Sequence, residues 1–373
     1  MRTDSPLWRS ARRASGTRTF AHAVGLLERA GRPLPGVLHV LTYHRVDDPQ
    51  DTPELYPGLI GATPGEFEEH MRFLASSCRT LSLSELLAVR RGEAPLSPSA
   101  VLVTFDDGYR SVAERAWPIM QRYGVPLTLF VPTAYPGRPG NAFWWDRLWS
   151  ALEGRCATPD ERLRTYRRLR EHVKSLPHAE AMAYVDELSA GSGAGSGRKS
   201  VLEWDELRRL AAEGVALGPH SRTHPLLDKV ARRDAIEEIL GSLGDLEREV
   251  GPTPRVFAHP GGAGEGMTAL LEEQGFELAF LTRRGVNDVT RPDWLRLRRI
   301  NVGRSFGLNG IRVQLLSQWA RIQRMRERKA HAFTAKLGSR SREQGGTPRA
   351  RTAPGGFSAR LDAGQLRRKA RTR

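Results

Sequence analysis

The chain has 373 residues, with 58 Lys and Arg against 42 Asp and Glu, a formal net charge of +16 at pH 7. That charge belongs to the ends: residues 1–32 carry +5 and residues 321–373 carry +13, which leaves −2 for residues 33–320. A nearly neutral body in a chain that is 39% hydrophobic excludes global disorder, and the overall charge does not make that body a nucleic-acid-binding domain. In chain order, apolar or β-branched runs predict strands at Leu38–Tyr43, Val101–Phe105, Pro126–Val131, Val215–Leu217, Val256–Ala258 and Leu278–Leu281. Helical spacing falls between them, at Pro64–Ser76, Val112–Tyr123, Trp204–Glu213, Arg232–Val250 and Met267–Gly275. The alternation predicts an α/β fold, either a barrel or a doubly wound sheet, and excludes a sandwich or a helical bundle.

Residues 137–200 break this rhythm. They are rich in Arg, Glu, Leu and Ala, contain no strand-like run and end in a Gly/Ser segment with the composition of a linker, so they are expected to form a helical insertion in a body spanning 33–320. The basic segment 1–32 lacks the apolar run of roughly 7 to 15 residues that a signal peptide needs, and no stretch approaches the ~18 apolar residues of a membrane span. Cys78 and Cys156, without CxxC spacing, read as two reduced thiols. Together these features predict a cytoplasmic protein, and the tail 321–373 is expected to be disordered from about residue 338. The basic ends also predict peripheral contact with an anionic membrane at the inner face. Nucleic acid is a competing partner for the same charge.

Two motifs carry chemistry. The apolar run Val101–Phe105 leads directly into Asp106-Asp107-Gly108, which places adjacent carboxylates at the end of a strand, where barrels keep catalytic groups; the same three residues also make an ordinary tight turn. His220 and His224 stand four apart after the run Val215–Leu217, with Pro225 favouring a turn over a regular helix. Alone they read as core or surface histidines. Combined with a carboxylate from another strand end, they supply two imidazoles and one carboxylate for a divalent metal, with positions left open for water and substrate.

Thr104-Phe105-Asp106-Asp107-Gly108 followed by His220-Ser221-Arg222-Thr223-His224 resembles the first two motifs of the polysaccharide deacetylase family, the NodB-homology domain or carbohydrate esterase family 4, and the likeness extends from about Leu38 to Val302. The resemblance implies a distorted, seven-stranded (β/α) barrel and metal-dependent removal of acetyl groups from sugars. It also implies Asp106 as catalytic base, with Asp107, His220 and His224 holding one divalent ion, zinc in the first instance and cobalt or nickel as alternatives. Thr42-Tyr43-His44 resembles the opening strand and brings His44 to the same mouth, and Ala258-His259-Pro260-Gly261-Gly262 resembles the third motif, in which the N–H of Gly261 would bind the oxyanion.

Two departures stand out. Ala258 replaces an arginine that many members use to orient the base, and no histidine after His259 precedes His331 in the basic tail, so the late histidine that protonates the leaving amine is missing. Arg299, in the run Arg298-Arg299-Ile300, is the candidate compensating cation. Trp144, Trp145 and Asp146 at the start of the insertion, together with His259, are candidate substrate contacts, since sugar rings stack on aromatic faces; the aromatics equally suit docking of the insertion. The expected function is hydrolysis of an N-acetyl, or alternatively O-acetyl, group on a polysaccharide or lipid-linked glycan precursor. The competing expectations are a catalytically degenerate carbohydrate-binding barrel and a binder of anionic surfaces or nucleic acid.

Overall fold

In a computed structural model, residues 18–30, 34–138, 142–190, 200–261, 264–322 and 325 are described. The expected linker core 191–199 and most of the basic ends, His331 included, lie outside the described residues. The strands are β1 (Val37–Tyr43), β2 (Arg45–Val46), β3 (Ile60–Ala62), β4 (Arg79–Leu81), β5 (Ala100–Phe105), β6 (Thr128–Val131), β7 (Ala216–Pro219), β8 (Val256–Ala258), β9 (Leu278–Arg284), β10 (Asn287–Asp288) and β11 (Leu297–Asn301). The helices are α1 (Arg18–Ala30), α2 (Pro64–Ser77), α3 (Leu83–Arg90), α4 (Trp117–Arg122), α5 (Trp144–Ser150), α6 (Pro159–Ser175), α7 (His178–Ser189), α8 (Trp204–Ala212), α9 (Arg232–Glu249), α10 (Thr268–Glu273) and α11 (Gly307–Leu315).

Seven parallel strands follow the order β7-β6-β5-β1-β11-β9-β8, with β4 alongside β5 and β10 antiparallel to β1. At the seam, a Cβ on Gly218 of β7 would come within 3.1 Å of Val256 on β8, and His220 Nδ1 reaches Ala258 O at 2.8 Å. The sheet is therefore a nearly closed barrel, the distorted (β/α) barrel expected.

Strand alternation sorts every side chain to one of two sides. β1 and β5 pair as Leu38↔Ala100, Val40↔Leu102 and Thr42↔Thr104. Leu38, Val40 and Leu102 pack inside with Phe130, Phe280 and Leu297, whereas Leu41, Tyr43, Val103 and Phe105 pack outside against the helices. Thr42 and Thr104 close the interior stack with Oγ1 atoms 3.0 Å apart. The next residues of the same parity are His44 and Asp106, so the fold delivers both to the mouth at the strands' C-terminal ends.

Short elements escaped the sequence reading. β2, β3, β4 and β10 have only two or three residues each, too few for periodicity to register. The helix expected over Val112–Tyr123 opens as a π-helical turn at Val112–Ala116. Pro118 explains it: proline has no N–H and crowds the carbonyl four residues back, so the chain widens and Trp117 N bonds to Val112 O instead. The insertion forms α5, α6 and α7 around its own core of Tyr56, Tyr109, Phe143, Trp149, Tyr166 and Val185. It leaves after β6 and returns before α8, where Leu202 N bonds to Gly108 O at 2.8 Å, so it stands over the mouth.

Candidate active site

Asp106 and Asp107 follow β5 and are both 2% exposed. Asp106 N donates to Tyr43 O at 3.0 Å, which prolongs the β1–β5 ladder and fixes where the carboxylate emerges. Arg299, inward on β11 and 3% exposed, places Nη1 2.8 Å from Asp106 Oδ1 while its Nε donates to Leu281 O at 3.0 Å. Asp106 thus has an arginine partner from another strand. Burial pushes the Asp106 carboxyl up, but Arg299, His220 and His44 outweigh it and hold the group below its ordinary value.

Asp107, His220 and His224 offer one ligand atom each, all within 4.8 Å of one another. His220 Nδ1 lies 2.8 Å from Ala258 O. A carbonyl only accepts, so Nδ1 carries the proton and Nε2 of the neutral ring presents its lone pair. The ring is neutral at pH 7, because burial, opposed by Asp106, lowers its pKa to about 4. That lone pair faces Asp107 Oδ1 at 3.6 Å, and His224 Nε2 faces the same oxygen at 3.3 Å. Burial raises the Asp107 carboxyl, yet the imidazoles of His224, His44 and His220 bring it down to about 2, so it is ionised. Asp107 Oδ1 has no hydrogen-bond partner among the described residues. Two acceptors buried face to face require positive charge between them, and the donor set of one carboxylate and two imidazoles suits a divalent ion.

The backbone is strained at these positions. Among the described residues, four non-glycines have positive φ, and three of them are Asp107 (72°), Ser221 (65°) and His224 (60°). Each such residue costs about 1–3 kcal/mol, which the surrounding structure must offset. Ser221 Oγ accepts from His224 N at 3.1 Å and so holds the turn that brings the second imidazole back to the first.

The other predicted residues divide. His44 is half-buried at the mouth beside both aspartates. Gly261, past β8, has φ of 69°, a conformation that strains any larger residue, and a Cβ there would also have to push aside the Leu226 side chain, 2.8 Å away. His259 is 1% exposed and stands edge-on to Phe257, which packs among Ile239, Leu243 and Leu271 on the helix side of the sheet. Trp145 and Asp146 are also buried, and only Trp144 of that trio is partly open to solvent.

Sequence reasoning missed how the insertion reaches the candidate metal ligands. Tyr109, two residues after Asp107, donates to Asp146 Oδ2 at 2.6 Å and accepts from Trp145 Nε1 at 2.7 Å, while Tyr56 N donates to Asp146 Oδ1 at 2.8 Å. The Trp145 ring then meets His224 edge-on, with centroids 4.8 Å apart. A tyrosine directly after Asp-Asp-Gly was the available signal.

Comparison with known proteins gives a consistent assignment. A sequence profile described as polysaccharide deacetylase matches residues 93–279. YxkH of Bacillus subtilis, a protein assigned to the polysaccharide deacetylases, is 30% identical over 98 residues; the match covers 26% of this chain and about a third (32%) of that protein. Among solved structures, the deacetylase PplD of Streptococcus pyogenes in complex with acetate superposes with a TM-score of 0.52 at 17% identity, covering 76% of this chain and 99% of that one. IcaB from Ammonifex degensii gives 0.52 at 22% identity over the same shares of both chains. These likenesses share the fold, and with the profile spanning half of the sequence, the chain belongs to the polysaccharide deacetylase family.

Proposed function

We propose that the protein is a metal-dependent hydrolase that removes acetyl groups from an acetylated glycan, with the N-acetyl group of an amino sugar as the leading substrate. The observation that carries this reading is the juxtaposition of a candidate ligand set, Asp107, His220 and His224, with a separate carboxylate, Asp106, that Arg299 holds. Asp107, His220 and His224 would hold a divalent ion, zinc first among the candidates, which would supply Lewis acidity for the acetyl carbonyl and for water near neutral pH.

The chain's own groups perform the proton transfers. With Oδ1 tied to Arg299, Asp106 keeps Oδ2 free, 3.8 Å from His220 Nε2, to take a proton from attacking water. Water adds to the carbonyl carbon, the C–N bond breaks, acetate forms, and the sugar nitrogen must receive a proton to leave as an amine. We assign that proton to His44, whose half-burial at the mouth, beside both carboxylates, supports the role. The N–H of Gly261 is assigned to the oxyanion and the open face of Trp144 to a sugar ring. A relative with this fold was solved with acetate, the product such a reaction would release.

The test is acetate release from acetylated chitooligosaccharides, O-acetylated xylan and lipid-linked N-acetylglucosamine, before and after chelation and metal re-addition. Metal-dependent release from any of them supports the reading. Carbohydrate binding without acetate release at full metal occupancy would instead identify a degenerate barrel.

A further inference from the structure

The large hydrophobic side chains left exposed among the described residues are Leu26 (53%), Leu27 (46%), Ile322 (38%) and Met325 (56%). All four lie on two elements at opposite ends of the sequence, α1 and the helical residues 317–322 and 325. These elements touch, since Gln318 Nε2 donates to Leu27 O at 3.2 Å, and the preceding helix α11 also holds α1 through Arg312 Nε, which donates to Glu28 Oε1 at 2.9 Å. On α1, Thr19, His22, Ala23 and Leu26 share one exposed face, while Val24 is buried. The two segments that carry the protein's excess charge, +5 in 1–32 and +13 in 321–373, contain these same four side chains.

The position of the patch is defined by what Leu27 touches. With Val37, Cys78 and Ser99 it lines a cavity of about 370 Å³. Those three residues begin or immediately precede β1, β4 and β5, so the patch lies at the foot of the barrel, opposite the mouth that holds Asp106 and Asp107. Six residues of β5 separate foot from mouth, roughly 20 Å at the usual rise per residue.

We infer that this foot is a docking surface for an anionic lipid bilayer, and that docking turns the catalytic mouth away from the membrane that holds the protein. A bilayer supplies both complements at once: anionic headgroups for the basic segments and an acyl boundary for the four apolar side chains. A nucleic acid would answer the charge but offers no sink for Leu26, Leu27, Ile322 and Met325. The geometry also selects substrate. Glycan carried on the same bilayer's headgroups lies on the wrong side of the barrel, whereas soluble or polymeric glycan reaches the open mouth.

The experiment compares the full chain with the L26Q/L27Q/I322Q/M325Q variant, which keeps every charge, in sedimentation with vesicles of phosphatidylglycerol and phosphatidylcholine mixed one to two. Pure phosphatidylcholine vesicles and duplex DNA serve as controls, and an unchanged melting transition verifies the variant's fold. The expected result is selective pelleting with the anionic vesicles and a loss of at least ~10-fold in partitioning for the variant. Equal partitioning of variant and parent, or binding to DNA without binding to vesicles, overturns the proposal. Orientation is read without removing the patch, in a chain whose Cys78 and Cys156 are replaced by serine. A bimane label at Leu26→Cys should be quenched by doxyl lipids, and one at Arg138→Cys, exposed on the mouth side after β6, should not be. Equal quenching of both labels overturns the outward-facing mouth. None of these readouts depends on deacetylation, so their failure and that of the proposed activity are separable.

Discussion

Arg299 and Asp106 are 193 residues apart in sequence and two strands apart in the sheet, with β1 between them, yet they pair at 2.8 Å with both side chains 3% exposed. Both residues point inward, and by register Arg299 is level with Val40 and Leu102, so its long side chain reaches up to the carboxylate at the strand end. The pairing leaves one carboxylate oxygen engaged and the other 3.8 Å from Nε2 of His220, one of the candidate metal ligands.

Asp106→Asn preserves size but cannot accept water's proton. Acetate release should fall at least ~100-fold, the lower range of general-base contributions, while metal content stays at the parent level. If the bound metal disappears and activity follows its re-addition, Asp106 is a ligand and its role must be exchanged with that of Asp107.

Removing the cation is a different experiment. Arg299→Met leaves a buried carboxylate without its partner and should destabilise the fold by about 3–5 kcal/mol, read from chemical denaturation of the metal-free protein. Arg299→Lys should recover part of that loss, since the charge returns without the donor to Leu281 O. Equal stability of Arg299→Met and parent would mean that the pair contributes no net attraction.

The ligand set makes a prediction about metal itself. His220→Ala and His224→Ala each remove one of three donors and should lower bound metal far below one equivalent by mass spectrometry. Chelation of the parent should also lower its melting temperature, because the lone pair of His220 and the oxygen of Asp107 then face one another buried and unbridged. Full metal occupancy in the double variant would falsify the assignment.

Asp146 supplies a pH dependence away from the ligands. Burial raises its pKa from 3.8 to about 6 despite the bonds from Tyr109 and Tyr56. The folded state therefore holds this proton more tightly than the unfolded chain, so the associated stability is present below pH 3.8 and is lost as pH rises through about 6. Relative to parent, Asp146→Asn should flatten the unfolding free energy across that window by roughly 3 kcal/mol. Identical pH profiles for the two proteins would count against a raised Asp146.

How much of this was legible in the sequence follows from range. Asp106, Asp107, His220 and His224 sit in local runs where an apolar strand ends in polar residues, so strand termini and ligand types could be read together. Arg299 was placed by likeness to a family pattern, but its partner depended on the strand order that sets β1 between β5 and β11, which no local window contains. The burial of Trp145, Asp146 and His259 was equally hidden: aromatic clusters look alike in sequence whether they line a groove or seal a contact. The π-helical turn before Pro118 and the two- and three-residue strands fell below the length at which periodicity has meaning.

The contact of Trp145 with His224 gives the insertion a means of acting on the proposed metal site. The indole N–H is fixed by Tyr109, the ring stacks on Phe143 at 4.4 Å, and its edge meets the imidazole of His224. Trp145→Phe keeps a flat ring but gives up the bond to Tyr109, so the ring loses its anchor and His224 a wall that orients it. Groups that orient a ligand in this way typically change metal affinity by 10-fold or more, so a loss of about 10-fold is expected by chelator competition. Turnover at saturating metal should be nearly unchanged, since no reacting atom touches Trp145. A variant that binds metal as tightly as the parent but turns over slowly would place Trp145 against the substrate instead.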